Sequence, residues 1–151
     1  MSDNWIALIP KDPHFVPSEH HGKAAAAYLA SIAPESDGID VRVDNKIQFH
    51  DCGSNLESIC CPRCNAAIDF DWWSDRMSDD FEGDGYQLGL DQTPCCHSRA
   101  SLAELIYDFD QGFSRFIVEA MNPKIGKLST GQLEKLRLLL GTEIRVIYRH
   151  I

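Results

Sequence analysis

The stretch Cys60-Cys61-Pro62-Arg63-Cys64 decides how this chain is interpreted, together with a second cluster farther along, Pro94-Cys95-Cys96-His97. A Cys-x-x-Cys turn folds back tightly enough for two sulfurs to reach one tetrahedral ion, and Pro62 helps to preset the turn. Asn65 follows directly and tolerates a left-handed conformation. The second cluster offers either two thiolates or one thiolate together with His97. The spacing therefore predicts a metal site assembled from two distant stretches of chain.

We predict one structural zinc ion bound by four thiolates, because tetrahedral sulfur sites are typical of zinc; these are the thiolates of Cys61, Cys64, Cys95 and Cys96. His97 is the first alternative ligand and Cys60 is the second. Adjacent cysteines point in different directions in an extended chain, so the use of both Cys95 and Cys96 requires a bend between them. Cys52, like Cys60, is otherwise interpreted as a small buried apolar group.

The segment between the two clusters is strongly acidic. From Asp69 to Asp91 it carries eight carboxylates against Arg76 alone, a charge density that opposes folding. A structural zinc contributes about 10–16 kcal/mol in small zinc-finger peptides, which is enough to order such a segment. Its aspartates lack the spacing of a calcium-binding loop, so we predict a solvated acidic loop. Within it, we expect the paired indoles of Trp72-Trp73 to be buried over the zinc module rather than exposed as an anchor for a partner.

The N-terminal part has the pattern strand, helix, strand. Trp5–Ile9 is a short apolar run, and Ser18 can cap a helix that carries one apolar stripe and stops at Pro34. Residues 39–43 alternate strictly between apolar and polar. Asp44-Asn45-Lys46 offers a turn, so this region is either one long strand or a hairpin.

The C-terminal part repeats this order of elements without any repeat in sequence. Residues 113–120 are rich in β-forming residues and are broken by Asn122-Pro123. A helix with a leucine stripe follows and ends at Gly141. Residues 144–148 then alternate as a last strand.

Two βαβ halves, residues 1–51 and 113–151, thus flank a segment of different character, residues 52–112. We predict a single α+β domain over residues 1–151 with a ferredoxin-like scaffold, in which a four-stranded antiparallel sheet carries both helices on one face. Residues 52–112 form an inserted, zinc-ribbon-like segment. An open α/β sheet is the alternative.

The overall charge restricts the possible partners. With 14 basic and 23 acidic residues the formal net charge is −9, which disfavours unaided binding to nucleic acid or to anionic lipid. Only Arg63 and Arg99 lie near the two cysteine clusters in sequence. The N-terminus lacks the features of a signal peptide and no apolar run approaches the ~20 residues of a membrane span, so we expect a cytoplasmic protein with reduced thiols.

The pentapeptide Leu128-Ser129-Thr130-Gly131-Gln132 is similar to the LSGGQ signature of ABC transporter ATPases. An ATPase also needs a phosphate-binding loop, and Gly126-Lys127 lacks the glycine and the hydroxyl residue that such a loop requires. A capping box, in which Ser129 and Gln132 cap the last helix, explains the pentapeptide. We therefore predict no ABC-type ATPase.

Several short motifs together resemble a set of uncharacterised bacterial proteins; they are Cys61-Pro-Arg-Cys64, Pro94-Cys95-Cys96, Leu102 to Tyr107, Gly112-Phe113-Ser-Arg-Phe116 and Asn122-Pro123. In those proteins a CPxC and a PCC-type motif precede a "gFxRF…NP" stretch, and the resemblance covers roughly residues 61 to 151. Some carry the label "sugar ABC transporter ATPase", which the likeness of residues 128–132 to the LSGGQ signature explains. The resemblance implies no established activity. The relatives tend to have glycine at the positions of Asn65 and His97, which argues against His97 as a ligand.

These observations favour a non-enzymatic, cytosolic zinc-binding protein with an acidic face for another protein. An immunity or inhibitor role against a basic toxin is one concrete form of this hypothesis. The alternatives are a thiol-disulfide oxidoreductase that uses Cys61 and Cys64, or a zinc hydrolase with three protein ligands and a water. No His-Glu-x-x-His motif occurs. We interpret five histidines as surface or sheet residues, namely His14, His20, His21, His50 and His150.

Overall fold

The structure is a computed structural model that describes residues 2–151. Its longest helix has 14 residues, and no helix in the described range is long and apolar enough to cross a membrane. The elements follow one another as β1 (Asn4–Pro10), α1 (Glu19–Ile32), β2 (Gly38–His50), β3 (Ile59–Cys60), α2 (Phe70–Asp80), β4 (Phe81–Glu82), β5 (Gly85–Tyr86), β6 (Asp91–Gln92), β7 (Arg99–Ala100), β8 (Ile106–Tyr107), β9 (Gly112–Met121), α3 (Thr130–Leu140) and β10 (Ile144–His150). A 3-10 turn at Leu102–Glu104 lies between β7 and β8.

Six of the strands form one antiparallel sheet in the order β10-β1-β9-β2-β5-β4. The first strand therefore lies in the interior of the sheet, where it pairs with β10 on one side and with β9 on the other. Strand β9 also pairs with β2. The remaining short strands form two separate pairs, β3 with β8 and β6 with β7. The predicted α+β class is confirmed.

The central strands β1 and β9 bury side chains on both faces of the sheet. Ile6 and Leu8 of β1 point to one face, where they meet Val118 and the apolar stripes of α1 and α3. Ala7 and Ile9, one residue out of phase, belong to a separate cluster on the other face. Successive side chains of a strand alternate between faces, so an uninterrupted apolar run such as Ile6–Ile9 is the pattern of a strand covered on both sides.

The helix ends agree with the prediction from local sequence. The Ser18 hydroxyl accepts the His21 amide at 3.1 Å and begins α1. At the start of α3 the Gln132 amide donates to Ser129 Oγ at 3.1 Å, and the Ser129 amide donates to the Gln132 side chain at 2.9 Å. This reciprocal pair is the capping box predicted for residues 128–132. Gly141 ends α3 with φ of 73°, a left-handed conformation that glycine adopts without strain.

Strand β2 is a single strand of 13 residues, which settles the choice between a strand and a hairpin. Its register with β9 shifts between Val43 and Gln48, so the suspected turn residues form an irregularity within the strand. The Arg115 side chain donates to the Asp44 carbonyl at 2.9 Å across this irregularity. A side chain thus replaces a ladder hydrogen bond that the shift removes.

The acidic middle segment contains a helix, α2, so the prediction of a solvated acidic loop was wrong. Asp69 caps this helix through a hydrogen bond that its carboxylate accepts from the Asp71 amide at 2.9 Å. Trp73 and Met77 are four residues apart and face a second core cluster, which also contains Phe113 of β9. The number of charged residues in the segment does not indicate this amphipathic helix, because the carboxylates and the apolar residues lie on different faces of it.

Candidate metal centre

The first cysteine motif forms a tight turn at the tip of a small hairpin. The Cys61 amide donates to the Ala66 carbonyl at 2.9 Å, and the Asn65 amide donates to the Cys61 carbonyl at 3.0 Å. Asn65 has φ of 63°, the left-handed conformation expected for it. The Arg63 amide points at Cys61 Sγ at 3.4 Å. The turn therefore directs backbone N–H groups and both cysteine side chains toward one side.

The second motif repeats this geometry. The Thr93 amide donates to the Ser98 carbonyl at 2.8 Å, and the His97 amide donates to the Thr93 carbonyl at 3.1 Å. His97 has φ of 59°. Strands β6 and β7 close this hairpin, as a bridge between Cys60 and Ala67 closes the first one. The two turns thus have the same hydrogen bonds and a left-handed residue at the same place.

A comparison of the two turns shows how the adjacent cysteines are used. Cys64 and Cys96 both directly precede the left-handed residue and occupy equivalent positions. Thr93 takes the place of Cys61, and Cys95 takes the place of Arg63. The tight turn supplies the bend that the adjacent pair requires. A sequence comparison of the stretches Cys61–Asn65 and Thr93–His97, each with proline second and cysteine fourth, could have revealed this correspondence.

The structure brings the four predicted cysteines together. The Sγ atoms of these four residues all lie within 4.8 Å of one another. Cys61 Sγ is 3.8 Å from Cys96 Sγ, and Cys64 Sγ is 3.3 Å from Cys95 Sγ. Four sulfurs at ~2.3 Å from one tetrahedral zinc would stand ~3.8 Å apart. The group can therefore hold a metal ion with small adjustments of the side chains.

The other candidate residues lie outside this group. His97 is exposed and serves as the left-handed residue of its turn. Cys60 is half-buried in β3, where it pairs with Ile106. Cys52 is fully buried, and its backbone N–H and its thiol both donate to the Gln111 side-chain oxygen, at 3.3 and 3.4 Å. This environment fits the interpretation of Cys52 as a core residue.

The environment of the sulfurs is uneven. Ser98 Oγ lies 3.3 Å and Thr93 Oγ1 3.4 Å from Cys96 Sγ. Hydrogen bonds from the hydroxyls of Ser98 and Thr93 lower the pKa of Cys96 to about 6. For Cys61, desolvation works against ionisation, but the amides of Cys64 and Arg63 outweigh it and lower the pKa of the thiol. Thr93, which is itself buried, is a site residue that the sequence did not reveal.

The pKa of Cys64 shifts in the opposite direction. The Ala66 amide favours its thiolate, but the sulfur of Cys95, desolvation and the other two sulfurs together raise the pKa of Cys64. Four thiols this close cannot all ionise independently, because each thiolate opposes the next. A divalent cation removes that opposition, since it supplies the positive charge that the group lacks.

Arg63 joins the two hairpins beside the sulfurs. Its guanidinium donates to the Arg99 carbonyl at 3.3 Å and to the Glu104 carboxylate at 3.1 Å. Glu104 in turn accepts the Ser101 amide at 2.7 Å, and this hydrogen bond, followed by those from Arg63, lowers the pKa of Glu104. The charge of Arg63 is therefore satisfied within the protein. Cys61 is buried beneath it, whereas the other three cysteines are exposed.

An acidic surface lies on α2 and on the β4-β5 hairpin. Its exposed carboxylates belong to Asp69, Asp71, Asp75, Asp79, Glu82 and Asp84. Arg76 is paired with Asp79 at 2.6 Å and with Asp91 at 3.9 Å. Beside these groups is an open groove of about 460 Å³, lined in part by Trp73, Met77 and Phe81.

The two indoles are half-buried rather than fully buried. Trp73 donates from Nε1 to the Tyr107 hydroxyl at 3.1 Å, and that hydroxyl donates to the Leu102 carbonyl at 2.8 Å. Trp72 and Trp73 both pack against the second core cluster, which includes Cys61. The indoles thus cover the core next to the sulfurs, while Trp73 also presents one side to the groove.

The site must be interpreted from its own geometry and chemistry. No protein-family model, no curated protein and no solved structure matches this chain. The resemblance to bacterial proteins with CPxC and PCC-type motifs stays a prediction. What the structure establishes is a group of four cysteines that can hold a metal ion and, on α2 and the β4-β5 hairpin, an acidic surface with an apolar groove.

Proposed function

We propose that this is a non-enzymatic protein in which Cys61, Cys64, Cys95 and Cys96 bind a structural zinc ion. The observation that carries the proposal is the separation of the four sulfurs, all within 4.8 Å. An all-thiolate tetrahedral set suits zinc or iron–sulfur chemistry. A single ion at the centre of four sulfurs, with two Cys-containing turns around it, corresponds to the structural class of zinc site. Such a site requires reduced thiols, which supports a cytoplasmic location.

The metal has a clear structural task in residues 52–112. One of the hairpins that carry the cysteines pairs the two-residue strands β6 and β7, and the other is closed by a single bridge between Cys60 and Ala67. Isolated two-stranded hairpins are marginal in water. Zinc binding supplies about 10–16 kcal/mol in small zinc-finger peptides, which far exceeds what four ladder residues contribute. We infer that the ion joins the two hairpins into one unit.

We further propose that the scaffold is ferredoxin-like and the insertion zinc-ribbon-like. Support for the scaffold comes from the order β10-β1-β9-β2 of the four long strands and from the position of α1 and α3 on one face of the sheet. The two equivalent turns at Cys61–Asn65 and Thr93–His97 support the second part.

The two enzymatic alternatives find less support in the geometry. A redox dithiol of the thioredoxin type opens a helix, whereas the Cys61–Cys64 turn leads into a hairpin and α2 begins only at Phe70. A catalytic zinc keeps one position open for water. Here four sulfurs converge, so a bound ion would have a complete set of protein ligands.

We propose that the acidic surface binds a basic protein, as an immunity protein or inhibitor does. The formal net charge of −9 and the exposed carboxylates of α2 and the β4-β5 hairpin favour association with a positively charged partner. The groove beside Trp73 and Met77 provides apolar contact area, and Phe81 at its edge is 45% exposed. Aromatic residues in such positions are frequent anchors of interfaces. Nucleic acid is disfavoured because Arg63 is already paired with Glu104.

The metal proposal is tested by metal analysis of protein purified without added zinc. We expect one zinc per chain and protection of four thiols against a thiol reagent. Cys95→Ser should lose the metal, whereas His97→Ala should keep it. Zinc-free protein with one acidic, reactive thiol would instead support the oxidoreductase, and iron in place of zinc would overturn the choice of metal.

The partner proposal is tested by affinity capture with two variants of equal net charge. Asp75→Lys/Glu82→Lys changes the acidic surface, whereas Asp12→Lys/Glu35→Lys changes exposed acidic residues elsewhere. We expect the first variant alone to lose a basic protein that the wild type binds. Equal loss in both variants, or no bound protein at all, would contradict a localised acidic interface.

A further inference from the structure

Strand β10 forms one edge of the six-stranded sheet, and half of its outer side carries unpaired backbone groups. Asp3 and Ile151 exchange two hydrogen bonds of 3.0 Å, and the Lys11 amide donates to the Glu143 carbonyl at 2.9 Å. The backbone N–H and C=O groups of odd-numbered residues in β10 therefore form the hydrogen bonds with β1. Backbone groups of alternate residues point to opposite sides of an antiparallel strand, so those of Ile144 and Val146 point outward. Within residues 2–151 neither residue has a backbone partner on that side.

The chain itself already uses the other half of this edge. Gly53 forms a parallel bridge with His150, and the Ser54 amide donates to the His150 carbonyl at 2.9 Å. The Asn55 side chain donates to the Tyr148 carbonyl at 2.9 Å. Gly53 has φ of 70°, and a Cβ there would lie 2.0 Å from the His150 oxygen, so only glycine fits this close approach. An extended segment can thus lie along β10, and this one stops before Val146.

A cleft of about 660 Å³ runs beside the open half of β10. Lys127 and Leu133 line it next to Tyr148, whose side chain lies on the helix-covered face of the sheet. Phe109 and Arg145 line the opposite side. Phe109 is 42% exposed, which is unusual for a large aromatic residue. An extended chain in this cleft would therefore meet one apolar and one basic side chain on each side.

Three basic and two acidic side chains line the cleft, Lys11, Lys127 and Arg145 against Asp108 and Asp110, so it carries a formal excess of positive charge on a protein of negative net charge. Arg145 is paired with Asp110 at 3.3 Å. The two oxygens of the Asp108 carboxylate accept hydrogen bonds from the Glu57 amide, at 3.0 and 3.3 Å. In the described part of the chain, Lys11 and Lys127 have no carboxylate within 4.0 Å. These two lysines supply positive charge that is available to a ligand.

We propose that the open half of β10 binds an extended, acidic segment of a partner protein, which adds to the sheet as a further strand. The outward backbone groups of Ile144 and Val146 would form the ladder. Carboxylates of the segment would pair with Lys11 and Lys127, and alternate apolar side chains would pack on Phe109 and Leu133. The site is separate from the acidic surface.

Charge argues against a second copy of this chain as the occupant. If two β10 strands paired, each would bring its own Lys11 and Lys127 to the same cleft, whereas Arg145 is already paired with Asp110. Like charges placed opposite each other destabilise a strand pair. A partner segment rich in Glu or Asp would instead pair with Lys11 and Lys127, the two basic side chains of the cleft that have no carboxylate partner in the described part of the chain.

The probe for this site is a fluorescein-labelled octapeptide of alternating Glu and Val, with a Lys–Val octapeptide as control. Binding to the zinc-loaded protein is followed by fluorescence anisotropy. We expect the Glu–Val peptide alone to bind and Lys11→Glu/Lys127→Glu to weaken its binding about tenfold or more, which corresponds to ~1.4 kcal/mol. Lys46→Glu/Lys135→Glu has the same change in net charge outside the cleft and should retain binding within about threefold.

Hydrogen exchange then tests the mode of binding. The peptide should slow exchange of the Ile144 and Val146 amides and leave the amide of Val43 in β2 unchanged. Absence of binding at millimolar peptide, equal binding of both peptides, or binding without protection of β10 would overturn the proposal. Concentration-dependent dimerisation that protects Ile144 and Val146 without peptide would also overturn it, in favour of a second copy of this chain.

Discussion

The sheet scaffold, residues 2–51 and 113–151, and the middle segment, residues 52–112, are stabilised by different interactions. The scaffold strands have 7, 13, 10 and 7 residues, and the two central ones, β1 and β9, bury apolar side chains on both faces. The middle segment has six strands of two residues each, one helix and four converging cysteines. The difference teaches that long strands are held by their own ladders and core, whereas the short strands of the middle segment depend on the second core cluster and, in our proposal, on a metal cross-link.

The largest effect is expected from loss of the metal. Cys64→Ala should expose the backbone of the two cysteine hairpins to hydrogen exchange while β1 and β9 stay protected. The free energy of local opening should fall by on the order of 5 kcal/mol or more, a part of the ~10–16 kcal/mol that structural zinc contributes. Site-resolved hydrogen exchange with and without zinc measures it.

Cys60→Ala is the matched control, because Cys60 neighbours the cluster without belonging to it. It should retain one zinc per chain and near-native protection of the hairpins. If Cys64→Ala melted both regions together, the distinction between scaffold and middle segment would be wrong.

The second prediction concerns the scaffold core. Leu136 on α3 is fully buried, whereas Leu138 on the same helix is 64% exposed. Leu136→Ala should reduce the free energy of unfolding by about 3 kcal/mol, because it removes a buried side chain and leaves a cavity. Urea unfolding of the zinc-loaded protein measures the change.

Leu138→Ala should change the free energy of unfolding by less than about 0.5 kcal/mol. Both variants should still bind one zinc per native chain, because the buried leucines of α3 belong to the first core cluster, whereas Cys61 belongs to the second. Loss of zinc from native Leu136→Ala protein would show that the two regions are coupled more strongly than we expect.

The third prediction places a pH-sensitive group where the scaffold meets the middle segment. His50, the last residue of β2, is buried, and its Nε2 has no hydrogen-bond partner. Burial, followed by the positive charge of Arg42, lowers the pKa of His50 to about 4, although a backbone hydrogen bond with Ser114 opposes the shift. The unfolded chain has a histidine pKa of about 6.5, so it binds a proton first as the pH falls.

Native stability due to neutral His50 is therefore complete above pH ~6.5 and lost progressively toward pH ~4, by about 3 kcal/mol in total. Thermal unfolding between pH 7 and 4.5 should show a steeper loss for the wild type than for His50→Gln. Parallel pH profiles for the two proteins would contradict a neutral buried imidazole.

The smallest effect is expected from an exchange that makes the two cysteine turns alike. Thr93→Cys/Cys95→Arg moves one sulfur to the position that Cys61 holds in the first turn. The two turns have the same backbone hydrogen bonds, and the double variant still has four thiolates, one of them at a new position. It should therefore bind zinc with an affinity within about tenfold of the wild-type value. Competition with a chelating dye measures the affinity.

Cys95→Arg alone should bind zinc far more weakly than the double variant, since only three sulfurs remain. If the double variant behaved like this single variant, the equivalence of Thr93 and Cys61 would not hold. The correspondence between Cys64 and Cys96 would then rest on backbone conformation alone.

Local signals in the sequence predicted the elements that depend on neighbouring residues. The cap residues Ser18 and Ser129 and the left-handed Gly141 marked helix ends, and the Cys61–Cys64 spacing marked a turn able to hold a metal. Each of these depends on hydrogen bonds or dihedral angles within about five residues, which sequence patterns report directly.

By itself, then, the sequence determined the α+β class, most of the scaffold elements and the identity of the four clustered cysteines. Only the tertiary structure decided the strand order, the amphipathic helix α2, the place of Thr93 beside Cys96 and the open edge of β10. These features arise from contacts between residues far apart in the chain. Their free energy depends on which surfaces meet in space, and no local pattern of residues encodes that.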